Sequence, residues 1–192
     1  SNPGHDDMNT GVIASRYAAA LLQYATSCGA DRDLYDMMKR ISACFSEIPD
    51  LERSFCNRII SNEDRKALFL DLFPGAPEKS LKVLSVFLDL LLRQRREYIV
   101  RSVSLGYVDK YRLQQGITYS VLTTVVPVDD STAERIKSFL DPVNPQKVEL
   151  ELKQDAGLIG GFSLRVGMKV WDASLLARLR EVRKAYGLKD IY

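Results

Sequence analysis

Near the C-terminal end, the stretch from Asp155 to Leu175, DAGLIGGFSLRVGMKVWDASL, restricts the fold more than any other part of this chain. Phe162, Leu164 and Val166 alternate with Ser163 and Arg165, the period-two pattern of a half-buried strand. Val166-Gly167-Met168-Lys169 places a glycine at the first central position of a two-residue turn, as a type II′ hairpin requires. Val170 and Trp171 continue into a second strand, and Asp172 is suited to open a helix by accepting from first-turn amides. Gly160-Gly161 admits unusual dihedrals or a close backbone contact at the entry to the first strand. The stretch contains no catalytic set, yet strand, turn, strand and cap leave it little conformational choice.

The 192 residues suffice for one large domain or two small ones, with 46% hydrophobic and 27% charged residues, values of an ordinary globular protein. A net charge of +2 does not favour wholesale binding to nucleic acid or an anionic membrane. No apolar run approaches the roughly 20 residues that span a bilayer, so membrane association is expected to go through a partner. The opening SNPGHDDMNTG is polar and acidic, and residues 1–9 are expected to form a flexible leader without a signal peptide. Cys28, Cys44 and Cys56 are odd in number and lack metal-ligand spacing, which favours buried thiols in a reducing compartment. The single histidine, His5, sits in the leader, which argues against Ser-His-Asp chemistry, Cys-His chemistry and a His-based zinc site.

Helical periodicity dominates the first part of the chain. A helix is predicted from about Thr10 to Cys28, with Ile13, Tyr17, Ala20, Leu21, Tyr24 and Cys28 on one stripe. Ala14, Ala18, Leu22 and Ala25 form a second stripe beside it. Together they span an arc of about 200°, wider than one core-facing stripe needs, so the helix is either sandwiched in a bundle or shares a face with a partner. Further helices are predicted at Asp31–Ser46, Leu51–Asn57 and from Ser61 or Asn62 to Phe73, the last with acids in its first turn. PEKSLKVLSVFLDLLLR, Pro77 to Arg93, is apolar nearly all round: Leu81, Leu84, Phe87, Leu88 and Leu91 lie to one side, Val83, Val86 and Leu90 to the other. Arg93, Arg95 and Arg96 follow as a short basic cluster, which favours a solvated helix junction over a phosphate site. A sixth helix, Arg96 to Gln115, carries Ile99, Val103, Tyr107 and Tyr111 at steps of four, which favours packing over base stacking.

After Gly116 the texture changes. Ile117 to Val128 is rich in Thr, Val and Tyr and reads as a strand; Ser131 to Leu140 reads as a helix, and Val148 to Lys153 as a strand wet on one side. With the hairpin and an amphipathic helix from Ala173 to Tyr186, the predicted class is α+β. A bundle of about six helices over 10–115 precedes a small α/β domain over 116–192. Gly157, Gly160 and Gly161 lack both Walker spacing and its lysine, so no phosphate loop is present. An enzyme is therefore the least supported class. Nucleic-acid binding through the basic last helix, with Arg178, Arg180, Arg183 and Lys184, is the alternative to an interaction adaptor, which fits best.

The ordered set Asp155, Ile159-Gly160-Gly161, Leu164-Arg165-Val166-Gly167 and Asp172-Ala173-Ser174 resembles the C-terminal signature of the delta subunit of rotary ATP synthases, whose mitochondrial relative is the oligomycin-sensitivity-conferring protein. SRYAAALLQYA resembles that family's Arg-Tyr-Ala-x-Ala-Leu opening, and FLDLLLRQRREYI its apolar helix and junction, with Arg95 where glycine is usual and Met168 where a polar residue is usual. The resemblance implies a non-catalytic stator subunit with no cofactor, peripheral on the cytoplasmic face of the cell membrane. Its helical domain would bind N-terminal helices of alpha subunits of the catalytic head, and its C-terminal domain b-type stalk helices. Carried over residue by residue, it implies an alpha-helix groove at Tyr17, Ala18, Ala20, Leu21, Phe87, Leu88 and Leu91. The stalk-binding domain's motif would be Asp155, Gly160, Gly161, Arg165, Gly167, Asp172 and Ser174. Periodicity leaves open which stripe of the first helix is core and which is groove.

Overall fold

The computed structural model describes residues 3–158, 161–167 and 169–172, with side chains described from Thr10 to Val170 within those ranges. The expected helix from Ala173 to Tyr186, with Arg178, Arg180, Arg183 and Lys184, lies outside the described residues, as do Ile159, Gly160, Met168 and Ser174. The chain divides into two compact units, Ser1–Gln114 and Gln115–Tyr192, the first helical and the second α/β, which makes the class α+β.

The first unit contains α1 (Pro3–Ser27), α2 (Asp31–Glu47), α3 (Leu51–Cys56), α4 (Asn62–Leu70), α5 (Glu78–Arg93) and α6 (Val100–Gln115), the last entered through a 3-10 turn at Glu97–Ile99. Helix α1 starts at Pro3 and not at Thr10, so residues 3–9 are helical where a flexible leader was expected. Proline is accepted at a first helical position because the amide it lacks has no intrahelical partner there. Helix α4 is capped by Ser61, whose Oγ accepts from the Asp64 amide at 3.1 Å and donates to the Asp64 carboxylate at 2.7 Å. It ends at Leu70, short of Phe73, because the Leu72 and Phe73 amides turn back three residues to Phe69 and Leu70.

The bundle core follows the predicted steps. Leu34, Met38 and Ile41 of α2, Leu84, Leu88 and Leu91 of α5, and Val103 and Tyr107 of α6 are fully buried. Each such side chain contributes roughly 1.5–3 kcal/mol relative to exposure. The tyrosines of α6 are core: Tyr111 stacks on Tyr35 with centroids 4.4 Å apart, and Tyr107 donates its hydroxyl to the Asp31 carbonyl at 3.0 Å. Burial pushes the Tyr107 hydroxyl far above its usual pKa, so it stays a donor. A buried ion pair, Arg65 to Glu97 at 3.1 Å, fastens α4 to the entry of α6, and Arg65 also donates to the Phe55 carbonyl at 3.2 Å. The three cysteines are free thiols, but only Cys44 is buried; Cys28 is exposed and Cys56 half-buried, so the expected burial holds for one of them.

The second unit is a sheet of β1 (Thr118–Thr124), β2 (Val148–Gln154), β3 (Phe162–Val166) and β4 (Lys169–Asp172), in the order β2-β1-β3-β4. Strands β1 and β2 are parallel, which demands a crossover, and α7 (Asp130–Leu140) supplies it. Asp129 caps α7 by accepting from the Thr132 amide at 3.1 Å. Strand β1 stops at Thr124, short of Val128, because its pairing partners Gln154 and Phe162 end the ladder there. By register, Ser120, Leu122, Leu150, Leu164 and Val166 share one face, and Tyr119, Glu149, Glu151, Lys153 and Arg165 the other.

Candidate partner-binding surfaces

The two stripes of α1 differ in burial, except that Leu21 of the first is buried with the second. Ala14, Ala18, Leu22 and Ala25, together with Leu21, are buried, because α1 packs on α2 and α5 and Ala18 faces Gly106 of α6. The stripe of small residues is therefore core. Ile13 and Tyr17 are half-buried, Ala20 is exposed, and Tyr24 is 41% exposed. Of the seven residues proposed for a groove, Ala18, Leu21, Phe87, Leu88 and Leu91 are buried inside the bundle. Tyr17 and Ala20 remain at the surface.

Two apolar residues outside the proposed groove are also at the surface. Val86 and Leu90 are 42% and 41% exposed and lie on the outer line of α5. Tyr17 is held in place from the end of α5: Arg96 donates to its hydroxyl at 2.8 Å, and the guanidinium stands 5.4 Å from the ring centroid. An apolar line on α1 and another on α5, joined at one end by this Tyr17–Arg96 link, is suited to receiving the apolar face of an amphipathic helix.

The junction after α5 has a defined geometry. The Arg96 amide reaches back to the Leu91 carbonyl at 2.9 Å and the Arg95 amide to Leu92 at 3.3 Å, a complete Schellman motif. Its left-handed position is Arg95, at φ 53°. Helix α1 ends with the same two bonds, from Ala30 to Ala25 at 2.9 Å and from Gly29 to Thr26 at 3.0 Å, with Gly29 at φ 62°. An arginine thus does at one helix end what a glycine does at the other.

In the second unit the motif residues shape the approach to the hairpin. Asp155 takes the Gly157 amide on its carboxylate at 2.8 Å, which closes the turn after β2. Gly161 has φ 102°, a backbone state that side chains resist, and it leads straight into β3. Gly167 has φ 57°, the positive value that a primed hairpin turn needs at its first central position, and Val166 pairs with Lys169 across it. Arg165 is exposed on the polar face of the sheet, where Tyr119 donates to Glu151 and Lys153 pairs with Glu151 at 3.2 Å. Asp172 ends β4 opposite Ser163, so it belongs to the strand, and its proposed capping role falls at the border of the described residues.

A sequence model of the family described as "ATP synthase delta (OSCP) subunit" matches residues 13–185, nearly the whole chain. The chain belongs to the ATP synthase delta (OSCP) subunit family. The ATP synthase subunit delta of Phocaeicola vulgatus is 32% identical over 183 residues, covering 95% of this chain and 98% of that one. Its counterpart in Bacteroides thetaiotaomicron is 33% identical, covering 93% and 96%. That of Prochlorococcus marinus subsp. pastoris is 30% identical, covering 88% and 93%. The fold is similar to that of a chain in the Toxoplasma gondii mitochondrial ATP synthase hexamer, with TM-score 0.57 and 16% identity over 93% of this chain and 98% of that one. Among the described residues of this delta-family chain, no helix is long and apolar enough to cross a membrane.

Proposed function

We propose that the chain is the non-catalytic stator subunit of a proton-translocating rotary ATP synthase, joining the catalytic head to the peripheral stalk. Its helical unit receives an amphipathic N-terminal helix of an alpha subunit, and its α/β unit holds the end of b-type stalk helices. It works as a peripheral subunit on the cytoplasmic face of the cell membrane. Family membership over residues 13–185 supports the assignment to the synthase. The single observation behind the head-facing surface is the outward apolar line of α1 and α5: Tyr17, Ala20, Tyr24, Val86 and Leu90, with Tyr17 anchored by Arg96.

Pull-down with a synthetic peptide of the alpha-subunit N-terminus tests this reading. Ala20 is exposed, so Ala20→Asp leaves the bundle folded while placing a charge under the docked helix. Desolvating that carboxylate costs several kcal/mol, and the peptide is expected to be lost from the beads. Undiminished capture by the variant removes Tyr17, Ala20 and their neighbours from the alpha-binding role.

A further inference from the structure

We infer that the helix docked on α1 and α5 carries acidic residues at one end, and that Arg93, Arg95 and Arg96 select it and fix its direction. This rests on the docking surface proposed above and adds to it a charge requirement. Val86, Leu90 and Arg93 follow one another at i, i+4 and i+7, so the exposed apolar line of α5 ends in an arginine. The Arg96 side chain is directed at Tyr17, which brings the basic group against the outer line of α1.

The acids that stand nearest in sequence are already taken. Asp89 is paired with Lys66 at 2.9 Å, and Glu97 is buried against Arg65 at 3.1 Å. Arg93 and Arg95 are exposed, and none of the three arginines has a carboxylate partner among the described residues. Arg95 also holds a left-handed backbone state that glycine would adopt without strain, so helix termination alone does not call for an arginine there. An apolar line ending in arginines without a carboxylate partner among the described residues complements an amphipathic helix whose carboxylates fall at the matching end; charge then sets the direction of docking as well as the choice of partner.

The test uses the full chain and a fluorescent peptide of the alpha-subunit N-terminus from the same cells, with anisotropy read across a salt series. Arg93→Gln combined with Arg95→Gly is expected to weaken binding about two- to fivefold at low salt, with the difference closing near 1 M salt. A peptide whose Asp and Glu are replaced by Asn and Gln is expected to bind wild type and variant alike. The thermal midpoint of Arg95→Gly, no lower than wild type, confirms that the surface is intact. Equal affinity of the variant for the acidic peptide overturns the inference, as does an equal loss with the neutral peptide. So does an effect confined to phosphatidylglycerol vesicles, which would assign the arginines to a lipid surface. Ala20→Asp separates the two levels: if it leaves peptide binding unchanged, the docking surface itself fails, whereas loss there with no arginine effect sinks only the charge requirement.

Discussion

Gly106 of α6 and Ala18 of α1 meet so closely that a Cβ added to Gly106 would lie 3.2 Å from the Ala18 Cβ. Ala18 is fully buried, so the contact has no solvent to move into. The small residues at both positions let the two helices approach, and this is why the alanine stripe of α1 faces inward while its larger Tyr17 and Tyr24 look out. Gly106→Leu is expected to destabilise the chain by about 1–3 kcal/mol through overpacking. Gly106→Ala is expected to change little, because its tighter contact is offset by alanine's helix preference of about 1 kcal/mol. Chemical denaturation followed by circular dichroism checks both; a leucine variant as stable as wild type contradicts the packing.

Arg95→Gly is expected to stabilise the chain by about 1 kcal/mol. The Schellman motif fixes a left-handed residue at this point, and a side chain there costs on that order. Gly29→Ala at the equivalent place after α1 is expected to destabilise by a similar amount, since its φ of 62° suits glycine. Thermal unfolding of the two variants should shift the midpoint in opposite directions.

These two helix ends show what could be read in the sequence and what could not. A glycine after an amphipathic helix announces the left-handed cap, as at Gly29; an arginine in the same role carries no local signal, and Arg95 reads as part of a solvated charge cluster. The same limit applies to α1. Both its stripes are apolar, and a core line built of Ala14, Ala18 and Ala25 is less hydrophobic than the outer line with Ile13 and Tyr17. Only the partner surface at Gly106 decides between them, and that contact is distant in sequence. The hairpin at Gly167 was legible because strand alternation and turn chemistry agree within a few residues. The parallel pairing of β1 with β2 depends on a crossover through α7, which local pattern does not encode. Residues 3–9, read as a polar leader, continue the helix of α1, and a proline at its first position is compatible with a helix start.

The α/β unit is expected to lose stability below about pH 4.5. Glu151 is held below the usual carboxyl value of 4.5, first because the Tyr119 hydroxyl donates to it, with Lys153 and Arg165 adding and burial opposing. A folded-state pKa that is depressed contributes stability fully above the unfolded value and loses it as pH falls through the folded one. Tyr119→Phe removes the main cause and should flatten that decline. Urea midpoints at pH 7 and at pH 3.5 for both proteins measure it; parallel curves contradict the assigned role of the tyrosine.

Gly161→Val is expected to cost on the order of 1–3 kcal/mol, because φ 102° is strained for a β-branched side chain. The strain falls at the entry to β3, inside the unit proposed to hold the stalk. Affinity for the alpha-subunit peptide should remain at the wild-type level, and affinity for a b-type stalk fragment should fall. Titration of each partner in turn reads the two effects separately.

The claim that the chain is a stator link, and not part of the catalytic machinery, is tested most directly by coupling. Synthase membranes stripped of this subunit are supplied with wild-type chain, with Ala20→Asp or with Gly161→Val, and ATP hydrolysis by the head and proton-driven ATP synthesis are measured on each. Hydrolysis is expected to persist in every case while synthesis returns only with the wild-type chain. Hydrolysis that disappears without the chain, or synthesis that recovers fully with both variants, contradicts it.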